Sequence, residues 1–293
     1  MWPSKASRER NRPSCARGSV FVQQQGSYCD FYGGDSWVIL SPIEQNIKRK
    51  IEAVGTPLKD WDINIYRGVL TGCNEAFIIS TEKRNEILAN CKTEDERKKT
   101  EELIRPILRG RDIKRYGYNW AELWLINTHN GVKGRIPRVR IEDYPAIKAH
   151  LDHYWSKIKD RADQGDTPYN LRNCAYLEEF FKQKIIYREI GFEMDACIAP
   201  ANWFVNNKLY LVTGDNIEYL LAFLNSKVFN KIILASANLT GGKGVDFMEK
   251  VKVPRDQNLM KAVVNTNDER QIDAQFNDYY GLTEAEKQFL SWD

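Results

Sequence analysis

Apolar residues recur at helical spacing in several stretches of the chain, and capping residues mark where these stretches begin. In SPIEQNIKRKIEAVG, Ser41 and Glu44 have the spacing of a capping box, in which each side chain binds a free backbone N–H of the other residue. Ile47 and Ile51 follow one turn apart, and Gly55 ends the pattern. Comparable patterns predict further helices over 80–90, 93–104, 142–165, 215–237 and 282–292, with Thr93, Asp215 and Thr283 as caps of three of them.

Short apolar or alternating runs bounded by turn residues predict strands between these helices. In YRGVLTGCNEAFII, residues 66–79, the TGCN segment predicts a turn between two strands. NWFVNNKLYLVTG predicts a hairpin that turns at Asn206 and Asn207, and further strands are expected over 122–129 and 182–190. Strands and helices are interleaved without a regular βαβ order. The predicted fold class is therefore α+β, with a mixed sheet and a helical C-terminal part.

Composition limits the kinds of protein this chain can be. Its 293 residues contain 42% hydrophobic side chains, enough for a sizeable core. The net charge is only +3, from 43 basic and 40 acidic residues, so a nucleic-acid partner has to be argued from local clusters of charge. No apolar run reaches the roughly 18 residues of a membrane span, and we expect a cytoplasmic protein. The six cysteines form no C-x-x-C pair, which is typical of free thiols in a reducing compartment.

Motifs for catalysis are absent from the sequence. An adenine methyltransferase would need a glycine-rich cofactor loop and an Asn-Pro-Pro-aromatic or Asp-Pro-Pro-aromatic segment, and neither occurs. TGGKGVDF contains Lys243 but lacks the spacing of a phosphate-binding loop. His150 and His153 lie three residues apart, yet two histidines do not complete a metal site. We predict no catalytic or metal-binding residue, and the sequence leaves open whether the protein is an enzyme.

Two blocks of basic residues are the positive signal. The first is IRPILRGRDIKRYGY, with Arg105, Arg109, Arg111, Lys114 and Arg115. The second is GVKGRIPRVRIEDY, with Lys133, Arg135, Arg138 and Arg140. Arginine can bind two acceptors of a phosphate or a guanine at once, and glycines let the backbone approach a duplex. An ordinary solvated surface is the alternative.

The order of several blocks resembles the TaqI-like C-terminal specificity domain. These blocks are IYRGVLTGCNEAFII, IRPILRGRDIKRY, LWLINTH, KIIYREI, YLLAFLNSKVFN, VKVPR and QIDAQFNDYYGLTEAEKQFL. The domain occurs in adenine-specific DNA methyltransferases, in type IIG restriction enzymes and in methyltransferases of phage-defence systems. The resemblance implies a DNA target-recognition domain over 37–214, a helical scaffold segment packed on it over 215–293, and a basic leader or linker over 1–36.

The resemblance also implies a division of labour. This chain would select a double-stranded DNA site, while a methyltransferase or endonuclease domain or subunit acts on it. No cofactor is expected in this chain; AdoMet and Mg²⁺ would be bound by catalytic parts outside it. We therefore expect a separate or truncated recognition module. The alternatives are a protein-binding scaffold that docks a methyltransferase and a nuclease in its own right.

The predicted DNA contacts follow from the two basic blocks and the loop before them. Arg67, Thr71 and Asn74 are predicted to hold a rigid loop against the DNA, with a purely structural hairpin as the alternative. All nine cations of the basic blocks are predicted contacts, and Lys243 is added to them. Which arginines would read bases and which would touch phosphates is left open, as is the target sequence.

Overall fold

A computed structural model describes residues 40–235 and 243–291 of the protein. The predicted leader over 1–36 and the end of the predicted 215–237 helix lie outside these residues. The helices of the described residues are α1 (Pro42–Val54), α2 (Asn74–Phe77), α3 (Thr81–Ala89), α4 (Glu94–Leu103), α5 (Pro145–His153), α6 (Trp155–Ile158), α7 (Ile217–Asn225), α8 (Val245–Lys250), α9 (Gln257–Val264), α10 (Glu269–Tyr279) and α11 (Glu284–Ser291).

The strands are short and spread along the whole chain. They are β1 (Gly55–Pro57), β2 (Ile63–Arg67), β3 (Ile78–Ser80), β4 (Ile104–Leu108), β5 (Ile113–Lys114), β6 (Gly117–Tyr118), β7 (Leu123–Ile126), β8 (Lys184–Arg188), β9 (Cys197–Ala199), β10 (Phe204–Val205), β11 (Leu209–Gly214) and β12 (Lys252–Pro254). Together with the helices they confirm the predicted α+β class.

An antiparallel sheet in the order β2-β11-β8-β9 forms the centre of the described structure. Its strands are apolar on both faces, and successive side chains enter two different hydrophobic cores. Tyr187 packs with the C-terminal helices, whereas its neighbour Ile186 packs with the region between residues 76 and 211. Because side chains alternate across a strand, one apolar strand can serve two cores.

A second sheet, in the order β10-β4-β7-β3, lies within the core between residues 76 and 211. The β4–β7 and β7–β3 pairs are antiparallel, and β10 pairs with β4 in parallel, so this sheet is mixed as predicted. Helices α3 to α6 lie around it, with Ile147 and Leu151 of α5 buried against its apolar side chains.

The first described residues pack with the last ones. Strand β1 pairs with β12, and Ile47 and Ile51 of α1 belong to the same core as Phe276 of α10. Lys50 of α1 binds Glu286 of α11 at 2.7 Å. Residues 40–61 thus complete the hydrophobic core of the C-terminal helices, on the opposite face of the central sheet from the second sheet.

The predicted order of strand, loop and strand around TGCN is confirmed, but the hairpin predicted at Asn206 and Asn207 is wrong. Strands β2 and β3, the two arms of residues 63–80, belong to different sheets, and α2 stands between them where the second arm was expected to begin. Strands β10 and β11 also belong to different sheets, although only 206–208 separates them. In both places the chain crosses from one sheet to the other, because the central sheet and the second sheet share one core.

Two predicted helices are shorter in the structure. The 142–165 helix is broken into α5 and α6 at Tyr154, and Trp155 at the start of α6 is exposed. Helix α7 ends at Asn225, and a π-helical turn follows over Phe229–Ile233. Asn216, at φ 58°, precedes α7 and no side chain caps it, so the predicted Asp215 cap is wrong.

The capping residues of three other helices were predicted more reliably than the helix lengths. Ser41 and Glu44 form the predicted capping box, and Thr283 and Glu286 form another at α11. Thr93 caps α4, but the Glu96 carboxylate binds the backbone N–H groups of Lys92 and Ala146 instead of returning to Thr93. The side chain of Glu96 therefore ties α4 to the start of α5.

Candidate nucleic-acid interface

One end of the central sheet brings three loops together. The register pairs Arg67 at the end of β2 with Tyr210 of β11, and Arg188 at the end of β8 with Leu209. The segments that follow β2, follow β8 and precede β11 must therefore meet at this end. Arg67 joins them: its Nε donates to the Asn207 carbonyl at 2.9 Å, and its Nη2 lies 2.9 and 3.1 Å from the Glu189 carboxylate oxygens.

The TGCN loop is held against a buried arginine. The Thr71 carbonyl accepts from Arg161 Nε at 2.9 Å, and the Thr71 hydroxyl donates to Asn74 Oδ1 at 2.6 Å. Arg161 lies beneath the loop, with its guanidinium 4.5 Å from the centre of the Phe77 ring. Thr71 is only 3% exposed and Asn74 is committed to it. The loop is thus held by hydrogen bonds within the protein, and Thr71 is turned towards the protein interior instead of towards solvent.

Several side chains of the first basic block bind other residues of the protein. The Arg109 guanidinium forms a two-pronged contact with Asp112, at 3.1 and 2.9 Å, that closes the turn over 110–112. Arg115 binds Glu269 of α10 at 2.7 Å. The Arg105 guanidinium lies 5.9 Å from the centre of the Phe181 ring. Arg111 and Lys114 are exposed and form no ion pair with any residue that the structure describes.

The second basic block is a tight loop held out from the surface. Val132 and Ile136 bridge its base, and Gly131 has φ 74°, where a Cβ would lie 2.4 Å from the Ile136 carbonyl oxygen. Glycine is therefore needed there. Arg135 binds Glu178 at 2.5 Å and Arg138 binds Asp166 at 3.0 Å. The exposed Lys133 and Arg140 have no ion-pair partner within 40–235 and 243–291.

Three adjoining depressions connect the two blocks. The second block lines a depression of about 780 Å³, which shares Asn173 and Cys174 with a cleft of about 380 Å³. Arg67 and Asn207 line the far side of that cleft. A third depression, of about 220 Å³, is lined by Arg111, by Lys208 and by Glu189. It adjoins the cleft because Lys208 follows Asn207 in the chain and Glu189 binds Arg67. The loop cations and Arg111 thus lie along one continuous surface, which we call the basic face.

Lys243 lies away from solvent. It is 1% exposed, its backbone N–H donates to the Glu189 carbonyl at 3.3 Å, and its ammonium donates to the Glu193 carbonyl at 2.5 Å. Burial lowers the pKa of Lys243 to about 8. Its contacts fix the loop between β8 and β9, and its burial excludes it from the basic face in this conformation.

Sequence reasoning overlooked several residues of this surface. Arg172 and Lys208 line it, and so do Asn173 and Asn207. Arg172 is a single cation in YNLRNC, and the Asn206–Asn207 pair was interpreted only as a turn.

Phe192, on the loop between β8 and β9, is 95% exposed and Ile190 is 77% exposed. An isolated apolar residue in a loop gives no sequence signal of its exposure, because burial depends on contacts from distant segments.

Ionisable side chains outside the basic face do not converge on a metal or a nucleophile. Among residues 40–235 and 243–291, no three His, Cys, Asp or Glu side chains are placed to hold a metal ion. Cys73, Cys91, Cys174 and Cys197 are free thiols. His150 Nε2 lies 2.9 Å from the Ala76 carbonyl oxygen, and burial lowers its pKa. No helix in the described part of the chain is long and apolar enough to cross a membrane.

Part of the chain matches a known family of protein domains. The model of the TaqI-like C-terminal specificity domain matches residues 105–243, a segment that includes both basic blocks. The resemblance inferred from the sequence is thereby confirmed. No curated protein matches the chain.

Solved structures of restriction-modification enzymes share the fold. One is the type IIL enzyme MmeI in complex with DNA, with a TM-score of 0.53, 12% identity, and coverage of 80% of this chain and 35% of that chain. Another is the type IIG restriction endonuclease BpuSI, with a TM-score of 0.51, 14% identity, and coverage of 85% and 32%. The chain thus spans about a third of these proteins. These likenesses show that the chain shares its fold with part of each of these enzymes.

Proposed function

We propose that the basic face receives duplex DNA and that this chain selects the site on which a separate catalytic domain acts. The supporting observation is the continuity of the surface from the 133–140 loop through Arg67 to Arg111. Phosphates of one duplex lie along two strands, so cations spread along one surface can neutralise several of them together. Cations on opposite sides of the molecule could not do so.

The cations of the face fall into two groups with different expected roles. Arg67, Arg135 and Arg138 are held by carboxylates, so their forks are already oriented before DNA arrives. Orientation reduces the entropy lost on binding and suits the reading of base edges. Arg111 and Lys133 are exposed and suit phosphate contacts, which set affinity and register without reading sequence. Lys114 and Arg140 do not line the three depressions, but they are exposed nearby in the two basic blocks and are proposed to contact phosphates as well.

The catalytic partner is proposed from the class of enzyme that carries this domain. Methyltransferase or endonuclease activity, AdoMet and Mg²⁺ would belong to that partner or to another part of a longer protein. One specific observation favours docking as a second function of this chain. The exposed Phe192 and Ile190 offer apolar surface that a partner could cover.

Salt dependence tests the phosphate contacts. Arg111→Ala and Lys133→Ala should each weaken binding to all duplexes alike and reduce the slope of log affinity against log salt by about 0.9. Arg49→Ala is the matched control, because Arg49 is an exposed arginine of α1 and lines none of the three depressions. The measurement is fluorescence anisotropy of a labelled duplex across a salt series.

The same titrations separate base contacts from phosphate contacts. Arg135→Ala should cost about 1 to 3 kcal/mol on one sequence and relax a single position of the preferred site, if this arginine reads a guanine. Unchanged affinity and an unchanged salt slope in all three variants of the face would contradict the proposal. Binding to a methyltransferase that is lost in Phe192→Ala, without any duplex binding, would favour docking instead.

A further inference from the structure

The cleft in the middle of the basic face contains an unsatisfied buried amide. Asn127 follows β7 and lines this cleft of about 380 Å³, and its side chain is only 3% exposed. Its Oδ1 has no hydrogen-bond partner in the described part of the protein. A buried polar atom of this kind destabilises the free protein, so a ligand that pairs with it gains more than a surface contact would.

The other lining residues narrow the chemistry of that ligand. Val69, Leu70 and Leu171 provide apolar walls, while Arg67 and Arg172 stand among the lining residues as cations. His129 also lines the cleft: its Nδ1 accepts from the Gly131 N–H at 3.2 Å, which places the ring proton on Nε2. Burial lowers the pKa of His129, so the ring is a neutral donor. A flat, polar-edged ring attached to a phosphate matches this set of groups.

The cleft is also of suitable size. Its volume lies within the ~300 to 1,000 Å³ of small-ligand pockets. Because the Asn127 side chain is only 3% exposed, a base that stays paired and stacked in a duplex is not expected to reach its amide. A nucleotide rotated out of the helix can enter.

We propose that this cleft takes a nucleotide extruded from the DNA, with the Asn127 amide paired to the edge of its base and Arg67 and Arg172 beside its phosphates. Asparagine suits this role because its amide offers a donor and an acceptor side by side, the arrangement that pairs with adenine N7 and N6. The inference rests on the proposed DNA-binding function of the basic face, and it adds a base-specific site to it.

The principal variant is Asn127→Leu, which keeps the size of the side chain and removes the amide. Because Asn127 Oδ1 is unpaired in the free protein, this variant should be at least as stable as the wild type. A urea titration checks this first. Asn258→Leu, at an exposed position of α9, is the control.

Binding to weakened base pairs then tests extrusion. The full chain is given the duplex that it enriches from a randomised pool, and a mismatch is placed at each position in turn. Extrusion costs least at a mismatch, so one position should bind about tenfold more tightly when mismatched. Asn127→Leu should lose this gain and Asn258→Leu should keep it. 2-Aminopurine at the same position should change its fluorescence on binding only with an intact Asn127.

The outcomes are distinguishable from those of the proposed function. Salt-dependent duplex binding without any position that gains from a mismatch would overturn the cleft assignment and leave the basic face intact. Absence of duplex binding would overturn the proposed function, and the cleft is then tested with the four deoxynucleoside monophosphates by calorimetry. Binding that Asn127→Leu abolishes would support a nucleotide site, and no binding would overturn it. A large loss of stability in Asn127→Leu would also contradict the inference.

Discussion

At the scale of single residues, two buried lysines show how far a charged side chain can depart from a surface role. Lys184 is fully buried in β8, and its ammonium donates to the carbonyls of Lys182 at 2.7 Å and Pro200 at 3.0 Å. Lys243 is held in a similar way by Glu193. Burial lowers the pKa of Lys184 to about 8, as it does for Lys243. Both lysines hold backbone segments in place.

The lowered pKa of Lys184 predicts a pH-dependent stability. The unfolded chain keeps its proton up to the ordinary lysine value of 10.5, whereas the folded protein releases it near pH 8. Stability should therefore rise with pH between about 8 and 10.5, because the cost of burying the charge disappears. We expect the wild type to gain ~1 to 3 kcal/mol relative to Lys184→Met between pH 7.5 and 10.

Urea unfolding of both proteins across this pH range provides the measurement. Lys243 is present in both, so its own titration cancels in the difference. Parallel curves for the wild type and Lys184→Met would show that the Lys184 ammonium is not destabilised by burial.

At the scale of elements, Arg161 decides the shape of the region beside the basic face. Its guanidinium donates to the carbonyls of Thr71, Ile158, Pro168 and Asn170. Burial lowers the pKa of Arg161, and these four hydrogen bonds all go to backbone carbonyls. A single side chain thus joins the TGCN loop to the end of α6 and to the segment that leads to Arg172. The TGCN loop is therefore held by a residue 90 positions further along the chain.

Loss of this contact should be costly. Arg161→Met would leave several buried carbonyls without a donor, and we expect the free energy of unfolding to fall by ~3 to 5 kcal/mol. Arg172→Met should change it by less than about 0.5 kcal/mol, because the Arg172 side chain is largely exposed. Thermal or urea unfolding of the two variants compares them directly. A small loss in Arg161→Met would mean that water can replace the guanidinium.

At the scale of the whole molecule, the central sheet couples two hydrophobic cores. Tyr187 and Ile186 of one strand face opposite cores, and the Arg115–Glu269 ion pair joins the first basic block to α10. The sequence divides the chain at residue 214, but residues 40–61 belong to the core of the C-terminal helices. Residues from both sides of that boundary contribute to one core, so we expect them to fold together.

This arrangement predicts cooperative unfolding. Ile47→Ala affects the core of the C-terminal helices and Ile107→Ala affects the core around the second sheet. Each should cost ~2 to 5 kcal/mol and shift the same single transition, since neither face of the central sheet can lose its cover alone. Calorimetry of the two variants checks this. Two separable transitions, each moved by only one variant, would contradict it.

The sequence by itself determined the features that depend on neighbouring residues. The Ser41 and Thr283 caps, the strand over 184–188 and the two basic blocks follow from spacing and residue type within a few positions. The order of such blocks was also enough to reveal the TaqI-like specificity domain.

Only the tertiary structure decided which of these features meet. The pairing of β1 with β12 and of β2 with β11, the burial of Lys243 and the carboxylate that holds Arg135 all involve residues 40 or more positions apart. The same holds for the cleft over Asn127, whose walls come from segments near residues 70, 130, 172 and 207. A local pattern fixes the backbone of its own segment, whereas contacts between distant segments depend on the packing of the complete core.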